Sequence, residues 1–365
     1  MNIADLEATN STVVSASIVT PEVYRLCIEI LHVPLFFFGI FGIFSNGFNI
    51  MVFAKQGVAS DSTTVSLVAL SVSDLLGCAF MLPQPVCFYL KSTSDSGAAL
   101  EHNCFALTTM TCTYTHIICS KVTCFITAYI SVERAVSVVF PLRVKRIIRM
   151  QSTVTVIIAI FIVAVALHAP YAASIEMVWG STLDNSTVVT LRVTALGKLF
   201  NAINNILIAM VLTTASMVTV AIATVVMISR VHVSVKWRLG HARNGNSFSA
   251  NVKASDKNVC TKMSGKMSSK NIEMCKTVMG IMTLFLVCSA CSHIPAMAVL
   301  SLPGMSSYGV NRYLYEIFYT MKFDFDLINS SANMLFYIKI SSRYRQTMVN
   351  MLGKFKSEPR TLNMK

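Results

Sequence analysis

Seven stretches of the chain are apolar over the length that an α-helix needs to cross a bilayer. A hydrocarbon core about 30 Å thick takes about 20 helical residues, and the backbone of each crossing segment has to satisfy its own hydrogen bonds. The pattern therefore predicts an all-α membrane protein built as a bundle of seven helices. The predicted spans, numbered one to seven in chain order, cover residues 30–54, 63–90, 104–132, 152–175, 199–229, 277–300 and 313–338.

The seventh stretch is the most polar, because it contains Glu316, Lys322, Asp324 and Asp326. An interfacial or re-entrant segment is the alternative interpretation. We favour a span because apolar residues recur through the stretch and a basic, helix-like segment follows it.

Composition supports the membrane class. Hydrophobic residues make up 54% of the chain and charged residues 13%, whereas soluble domains have about 25% charged residues. The net charge of +13 would fit a nucleic-acid binder. The basic residues, however, are concentrated in short segments between apolar stretches, which argues against that class.

The distribution of Lys and Arg predicts the orientation. Of the 30 basic residues, 23 lie in segments 54–62, 133–151, 230–276 and 339–365, and five lie in segments 1–29, 91–103, 176–198 and 301–312. Basic residues favour the cytoplasmic side, so we expect a multi-pass plasma-membrane protein with an extracellular N-terminus and a cytoplasmic C-terminus. Glycosylation sequons at Asn10 and Asn185 fall on the side expected to be outside.

This topology divides the chain into three parts. Residues 1–29 form an extracellular segment without the features of a cleavable signal peptide. Residues 30–340 form the transmembrane domain, with a mobile cytoplasmic loop at about 230–276 that is rich in Ser, Lys, Asn and Gly. Residues 341–365 form the cytoplasmic tail.

Polar residues recur within the predicted spans, where they are costly unless they face protein or water. Span three carries a polar face that ends at the charged pair Glu133-Arg134, and a basic segment follows that pair. The other polar positions are Asn46 in span one, Asp74 in span two, and Asp326, Ser330, Asn333 and Tyr337 in span seven.

Five short motifs follow one another in order across the spans. They are Asn46; Leu70-Ser71-Val72-Ser73-Asp74; Glu133-Arg134-Ala135 with Pro141-Leu142 beyond it; Pro295; and Asn333-Met334-Leu335-Phe336-Tyr337. Together they resemble the signatures of rhodopsin-like G-protein-coupled receptors, over about residues 30–352. Segments such as ITAYISVERAVSVVFPLRVK are similar to the expanded chemosensory-type receptors of molluscs.

The resemblance implies a receptor that binds an extracellular ligand, such as a chemosensory cue or a peptide, and activates a heterotrimeric G protein. It assigns coupling and activation to Glu133, Arg134, Asn333 and Tyr337, with Arg134 released from Glu133 when the cytoplasmic halves of the helices open. It also implies a short amphipathic eighth helix on the cytoplasmic membrane surface, from Ser341 to about Leu352.

A buried cluster of sodium and water is a further implication of the resemblance. Its residues would be Asn46, Asp74, Thr123, Asn329 and Asn333. The alternative is a structural polar network without an ion, because polar groups inside membranes are not always ligands. No other cofactor and no metal centre is expected.

The ligand pocket is expected among the polar residues of the outer half of the bundle. Each of them is alternatively a simple interhelical hydrogen bond. The candidates are Gln84, His116, Ser120, Asn201, Asn204, His293, Tyr319 and Asp326. His116 stands where amine receptors of the family carry Asp, and Leu327 stands where light-sensing relatives carry Lys, so neither an amine nor retinal is the expected ligand.

Two departures from the family pattern affect the expected structure. The segment 176–198 has no Cys, so the usual bridge from the start of span three to this loop cannot form. We therefore expect Cys104→Ser and Cys112→Ser to change surface expression little. Met334 replaces the proline of the seventh-span motif, which should weaken the kink there.

The alternative function is a proton- or ion-coupled carrier that uses Lys121, Asp74, Asp324 and Asp326 as a relay. Such a carrier would show repeated halves or broken helices in matching positions, and the sequence shows neither. An enzyme is not expected, because no metal-ligand cluster and no nucleophile–base set emerges from the sequence.

Overall fold

The chain forms a bundle of long helices with one two-stranded sheet, as seen in a computed structural model that describes residues 17–58, 61–90, 97–141, 143–181, 187–245, 269–306 and 309–357. Span one packs against spans two and seven, and span six packs against span seven. Span three contacts spans two, four, five and six. Its polar face is therefore directed into the interior of the bundle, where polar partners are found.

Six helices in the described part of the chain are long and apolar enough to cross a membrane: Pro21–Gln56, Ser62–Tyr89, Asn103–Val139, Met150–Ala172, Ala195–Val233 and Ile272–Val299. They correspond to predicted spans one to six. Local bounds are Ser62–Met81 and Pro83–Leu90 in span two; Gly97–Thr108, π-helical Thr109–Thr113 and Tyr114–Val139 in span three; Ala195–Ile203, π-helical Asn204–Leu212 and Thr213–Gly245 in span five; and Ser269–Ser301 in span six. A short helix, Val144–Ile147, precedes span four.

The seventh span is a helix in two parts, Arg312–Ser331 and Asn333–Ile340, separated at Ala332. Because of its charged residues, it is not among the six helices that are apolar enough to cross a membrane by composition alone. It nevertheless packs against spans one, two and six. Charges are tolerated at membrane depth when they face protein. The interruption at Ala332 is present although Met334 replaces the usual proline, so loss of the proline has not made the helix continuous.

A β-hairpin follows span four, and the sequence analysis did not predict it. β1, Ile175–Ser181, pairs antiparallel with β2, Thr187–Val193, so that Ile175 lies opposite Val193. The signal was present, since β2 is rich in β-branched residues that favour strands. Short hairpins are marginal by themselves, and this one is supported by span three, as described below.

The outer surface of the bundle is strongly apolar. Phe37 is 66% exposed, Phe44 is 72% exposed and Ile162 is 63% exposed. Scattered exposed apolar residues are normal in soluble proteins, but a contiguous apolar belt is not. Along spans one and four such a belt is what hydrocarbon contact requires, and it agrees with the membrane class.

Spans one, two and seven approach closely at Gly42. A Cβ atom at this position would collide with the Cys78 sulfur, so a larger residue there would force Cys78 to move. The close approach lets the hydroxyl of Ser45 donate to the Ser331 carbonyl at 3.1 Å and the Asn46 amide donate to the Ser330 carbonyl at 2.9 Å. Asn46 thus holds span one to span seven near the interruption at Ala332.

The tail folds as a helix, Ser342–Ser357, directly after span seven. Tyr344 of this helix is buried, and its hydroxyl donates to Asn49 Oδ1 at 2.7 Å. Burial raises the pKa of Tyr344, so the phenol stays neutral. Glu273 of span six accepts hydrogen bonds from the backbone and the hydroxyl of Ser342. The position of this helix on a membrane surface remains a prediction.

Candidate functional site

A large cavity opens at the end of the bundle that carries the β-hairpin, which we call the hairpin end. Its volume is about 1390 Å³, which exceeds the roughly 300–1,000 Å³ of ordinary small-molecule pockets. Spans one to five, span seven and the hairpin contribute to its walls. The predicted pocket residues on its lining are Gln84, Asn201, Asn204 and Tyr319.

A second, much smaller chamber adjoins the large cavity. Its volume is about 50 Å³, and its lining includes three further predicted pocket residues, Ser120, His293 and Asp326. We call it the polar chamber. Lys121 and Lys322 line both spaces, as does Tyr319. The polar chamber therefore lies at the floor of the large cavity.

Asp326 connects three spans at the polar chamber. Its Oδ2 accepts hydrogen bonds from Lys322 Nζ at 2.7 Å and from the Ser120 hydroxyl at 3.0 Å. Its Oδ1 accepts a hydrogen bond from the Ser292 hydroxyl at 3.0 Å. One carboxylate of span seven thus holds spans three and six, and a change in its bonding would affect all three.

The two predicted pocket histidines have different positions. His293 lines the polar chamber, and its Nε2 lies 3.3 Å from the Thr214 hydroxyl of span five. His116 lies outside the lining of both cavities. Its Nδ1 donates to the Gly77 carbonyl at 2.8 Å, and its ring packs edge-on against Phe323. His116 therefore joins spans two and three instead of facing the ligand space.

The sequence analysis missed two lysines as pocket residues. Lys121 was considered only as part of a relay, and Lys322 only as a charge in span seven. In the structure Lys322 is paired with Asp326, while Lys121 Nζ donates to the Thr213 hydroxyl of span five at 3.0 Å. Their occurrence inside apolar spans could have identified them from the sequence, because an ionisable residue in a span indicates a functional site by default.

Asp74 lies in a buried cluster between the polar chamber and the opposite end of the bundle. Its Oδ1 accepts from the Thr123 hydroxyl at 2.7 Å, and its Oδ2 accepts from the Asn333 amide at 2.9 Å. The Asn333 Oδ1 atom is buried and has no hydrogen-bond partner among the described residues. A carboxylate, a hydroxyl and a free amide oxygen form a donor set that fits a small hard cation.

The other two residues predicted for this cluster are placed elsewhere. Asn46 bonds to backbone carbonyls, including that of Ser330 at 2.9 Å. Asn329 lies on the lining of the polar chamber. No hydrogen bond within the described part of the chain joins Asn46 or Asn329 to Asp74. Of the five predicted residues, the structure therefore brings together Asp74, Thr123 and Asn333.

The charged pair lies at the opposite end of the bundle, which we call the tail end. Glu133 Oε1 and Arg134 Nη2 are 3.1 Å apart, and the Glu133 side chain is fully buried. The hydroxyls of span two complete its coordination: Ser62, Thr63 and Ser66 all donate to its carboxylate. Arg134 also contacts the Met274 sulfur of span six at 3.0 Å. The pair thus connects spans two, three and six.

Asn333 and Tyr337, the other two residues predicted for activation, do not contact this pair. Asn333 is bonded to Asp74. Tyr337 is buried against Phe53 and Tyr344, with ring centroids 5.1 and 5.4 Å away. Its hydroxyl has no hydrogen-bond partner within the described residues, so Tyr337 is available for a different contact in another arrangement.

A disulfide at the hairpin end corrects one expectation. Cys87 of span two is bonded to Cys104 of span three. Cys112 is a free thiol. The bridge does not reach the loop after span four, which has no Cys, but it does give Cys104 a structural role. The disulfide removes the basis for expecting little effect of Cys104→Ser on surface expression, because pairing depends on spatial proximity that the sequence does not show.

Asn103 connects span three to the loop after span four, which has no Cys for a disulfide. Its Nδ2 donates to the Thr187 carbonyl at 3.0 Å, and its Oδ1 accepts from the Val189 N–H at 2.6 Å. One side chain thus bonds both to a donor and to an acceptor of β2, as a neighbouring strand would. The disulfide at Cys104 anchors the same turn to span two, so the hairpin is held over the large cavity.

Asn10 and Asn185, the glycosylation candidates, lie outside the described residues. Of the four residues of the alternative relay, Lys121 and Asp326 both line the polar chamber. No hydrogen bond among the described residues joins any two of Lys121, Asp74, Asp324 and Asp326. This geometry gives no support to a proton relay.

The order of motifs is matched by an independent comparison. The model of the 7 transmembrane receptor (rhodopsin family) matches residues 45–336, which run from within span one into span seven. No curated protein sequence matches the chain. The match confirms the resemblance seen in the motifs and the interpretation of the polar seventh helix as a span. The chain therefore belongs to the rhodopsin family of seven-transmembrane receptors.

Proposed function

We propose that this receptor binds an extracellular ligand in the large cavity and activates a heterotrimeric G protein at the tail end. The observation that carries the proposal is the position of Asp326, which joins spans three, six and seven at the floor of that cavity. The ligand is a chemosensory cue or a peptide, in keeping with the similarity to chemosensory-type receptors of molluscs. The hairpin end faces outside, as the distribution of basic residues indicates.

A ligand acts by binding one helix arrangement better than another, since equal affinity for both would shift nothing. Groups that enter the polar chamber contact Ser120, Lys322 and Asp326. They compete with the bonds that hold the three spans together. Breaking or strengthening those bonds gives the ligand the differential affinity that activation requires.

The Asp74 cluster supplies the connection between the two ends of the bundle. It joins Thr123 of span three to Asn333 of span seven. Asn333 begins the second part of the seventh helix, so movement of that part changes the cluster. A sodium ion would be held by Asp74, Thr123 and Asn333 and would favour the arrangement in which these oxygens converge.

At the tail end, Arg134 is the group that faces the G protein after activation. Glu133 holds Arg134 in the resting arrangement and is itself held by the span-two hydroxyls. Separation of spans three and six breaks its contact with Met274 and opens a groove for the partner. The tail helix Ser342–Ser357 borders this end and lies on the cytoplasmic membrane surface.

The proposal is tested by expressing the full chain in cells with a promiscuous G protein and screening waterborne cues and peptides. We expect at least one cue to produce a second-messenger response. Arg134→Ala should abolish the response while the cue still binds, and the exposed hairpin residue Arg192 provides a matched control, Arg192→Ala. A response that persists in Arg134→Ala at equal surface levels would contradict G-protein coupling through the tail end.

A further inference from the structure

At the floor of the large cavity two lysines, Lys121 and Lys322, lie beside one carboxylate, that of Asp326. Arg25, on the lining, pairs with Glu29 at 3.1 Å, and Lys322 pairs with Asp326 at 2.7 Å. Lys121 also lines the cavity. It forms no ion pair with any residue that the structure describes. The remaining acid on the lining, Glu316, accepts a hydrogen bond from Tyr24 of span one.

The surroundings of Lys121 make this charge unusual. The residue is 7% exposed. Its Nζ donates to the Thr213 hydroxyl at 3.0 Å, and that hydroxyl in turn donates to the Ile208 carbonyl at 2.8 Å. An ammonium has three donors, and a hydroxyl cannot neutralise its charge. Taking an ammonium out of water without an ion-pair partner is costly. Asp326, the carboxylate of the polar chamber, is already paired with Lys322, so Lys121 favours an anion that reaches it.

The rest of the cavity lining is suited to an apolar body. Ile117, Ile208 and Phe323 line it next to Lys121. On the other side, Ile30 and Val33 of span one line the cavity and are 60% and 45% exposed. The cavity therefore has an apolar side at span one, which can accommodate a hydrophobic chain.

We propose that the ligand of this receptor is an anionic amphiphile whose carboxylate, sulfate or phosphate head pairs with Lys121 while its apolar body lies towards span one. This inference rests on the proposed function of the large cavity as the ligand site. The head group lies beside the polar chamber, where it also attracts Lys322 and weakens the bond of Lys322 to Asp326. Head-group binding is thus coupled to the carboxylate that joins spans three, six and seven.

The test measures the thermal stability of the purified full-length receptor in phosphatidylcholine nanodiscs. The probes are dodecanoate, dodecyl phosphate and dodecyl sulfate, with dodecanol as the neutral match. The variants are Lys121→Met, Lys121→Gln and, as a control at an exposed lysine of span five, Lys198→Met. Ligand that binds only the folded state raises Tm, so the concentration dependence of Tm gives the affinity of each probe.

We expect at least one anionic probe to raise the Tm of the wild type and of Lys198→Met. Loss of a charged hydrogen-bond donor should weaken that probe about 10- to 100-fold in both Lys121 variants. Dodecanol should act equally on all four proteins. The three anionic probes separate carboxylate, phosphate and sulfate as the preferred head group. Without ligand, Lys121→Met should melt above the wild type, because it removes a buried charge that has no ion-pair partner among the described residues.

Two results would overturn the inference. One is that no anionic probe stabilises the wild type, and the other is that an anionic probe stabilises the Lys121 variants as well as the wild type. Lys121→Gln retains a donor for Thr213, so it reports on the charge even where Lys121→Met fails to fold. The assay contains no G protein, so a failure of coupling does not affect it. A cue-evoked response of unchanged potency in Lys121→Gln would retain the proposed function and reject the anion.

Discussion

Neutralising Glu133 tests whether the charged pair at the tail end holds the receptor in its resting arrangement. The carboxylate of Glu133 accepts hydrogen bonds from three span-two hydroxyls and lies 3.1 Å from Arg134. Glu133→Gln keeps the size of the side chain and an oxygen for the hydroxyls. It removes the negative charge that attracts Arg134, so Arg134 is released at a smaller cost.

The magnitude follows from the burial of the pair. The side chain of Glu133 is 0% exposed and that of Arg134 is 13% exposed, so solvent screens their attraction less than at an open surface. Exposed pairs contribute up to about 1 kcal/mol, and hydrogen bonds to charged groups contribute about 1.5–3 kcal/mol. We therefore expect the change to shift the equilibrium by about 1–2 kcal/mol, or roughly 5- to 30-fold. An active fraction of about 1% would rise to about 5–20%.

The assay is ligand-independent second-messenger production in cells with a promiscuous G protein, at matched surface levels. Glu133→Gln should raise this basal signal several-fold. Glu176→Gln makes the same chemical change at an exposed position of the hairpin and should leave the basal signal unchanged. Arg134→Ala should lower both basal and evoked signals, because it deletes the group that faces the partner.

The reasoning is refuted by one combination of results. If Glu133→Gln leaves basal signalling at the level of the wild type, and Arg134→Ala couples normally at equal surface levels, the pair does not control the resting arrangement. An increase in Glu176→Gln as large as that in Glu133→Gln would show that the effect is not specific to the tail end.

Three further predictions concern the hairpin end and the topology. Cys87→Ser and Cys104→Ser each open the disulfide, which closes a loop with a sequence separation of 17; loop-closure entropy then predicts a loss of about 3 kcal/mol. Tm and surface staining should fall in both, and not in Cys112→Ser, so equal values in all three would contradict a structural bridge. Asn103→Ala removes both hydrogen bonds to β2 and should speed amide hydrogen exchange in the hairpin. The control Asn311→Ala loses bonds to Ile18 and Pro303 instead and should leave that exchange unchanged. Equal exchange in the two variants would exclude the anchoring role of Asn103. Antibodies applied to intact cells should bind a tag at the N-terminus and not one at the C-terminus, and staining of the C-terminal tag would reverse the orientation.

The sequence by itself determined the number of helices and their order. Hydrocarbon leaves backbone groups no partner outside the segment, so a long apolar stretch has to be a helix. Local composition therefore decided spans one to six, and the motifs around Asp74, Glu133-Arg134 and Asn333 identified the family. The seventh span was harder because its charges resemble those of an interfacial segment, and only packing inside the bundle accounts for them.

The tertiary structure decided which residues of different spans meet. Lys322 and Asp326 are four residues apart, so their pairing could have been read from helical spacing. The bonds of Asp326 to Ser120 and Ser292 could not, because they depend on how spans three, six and seven are rotated. For the same reason His116 joins spans two and three, although its position in the sequence suggested the ligand space.

The hairpin end shows this division most clearly. The absence of Cys in segment 176–198 is a property of the sequence, and it correctly excluded a bridge to that loop. That Cys104 instead bonds to Cys87, and that Asn103 holds β2, depends on distances across the bundle. Spacing along the chain determines helices because their hydrogen bonds are local; it does not determine contacts between spans, because those depend on the packing of whole helices against one another.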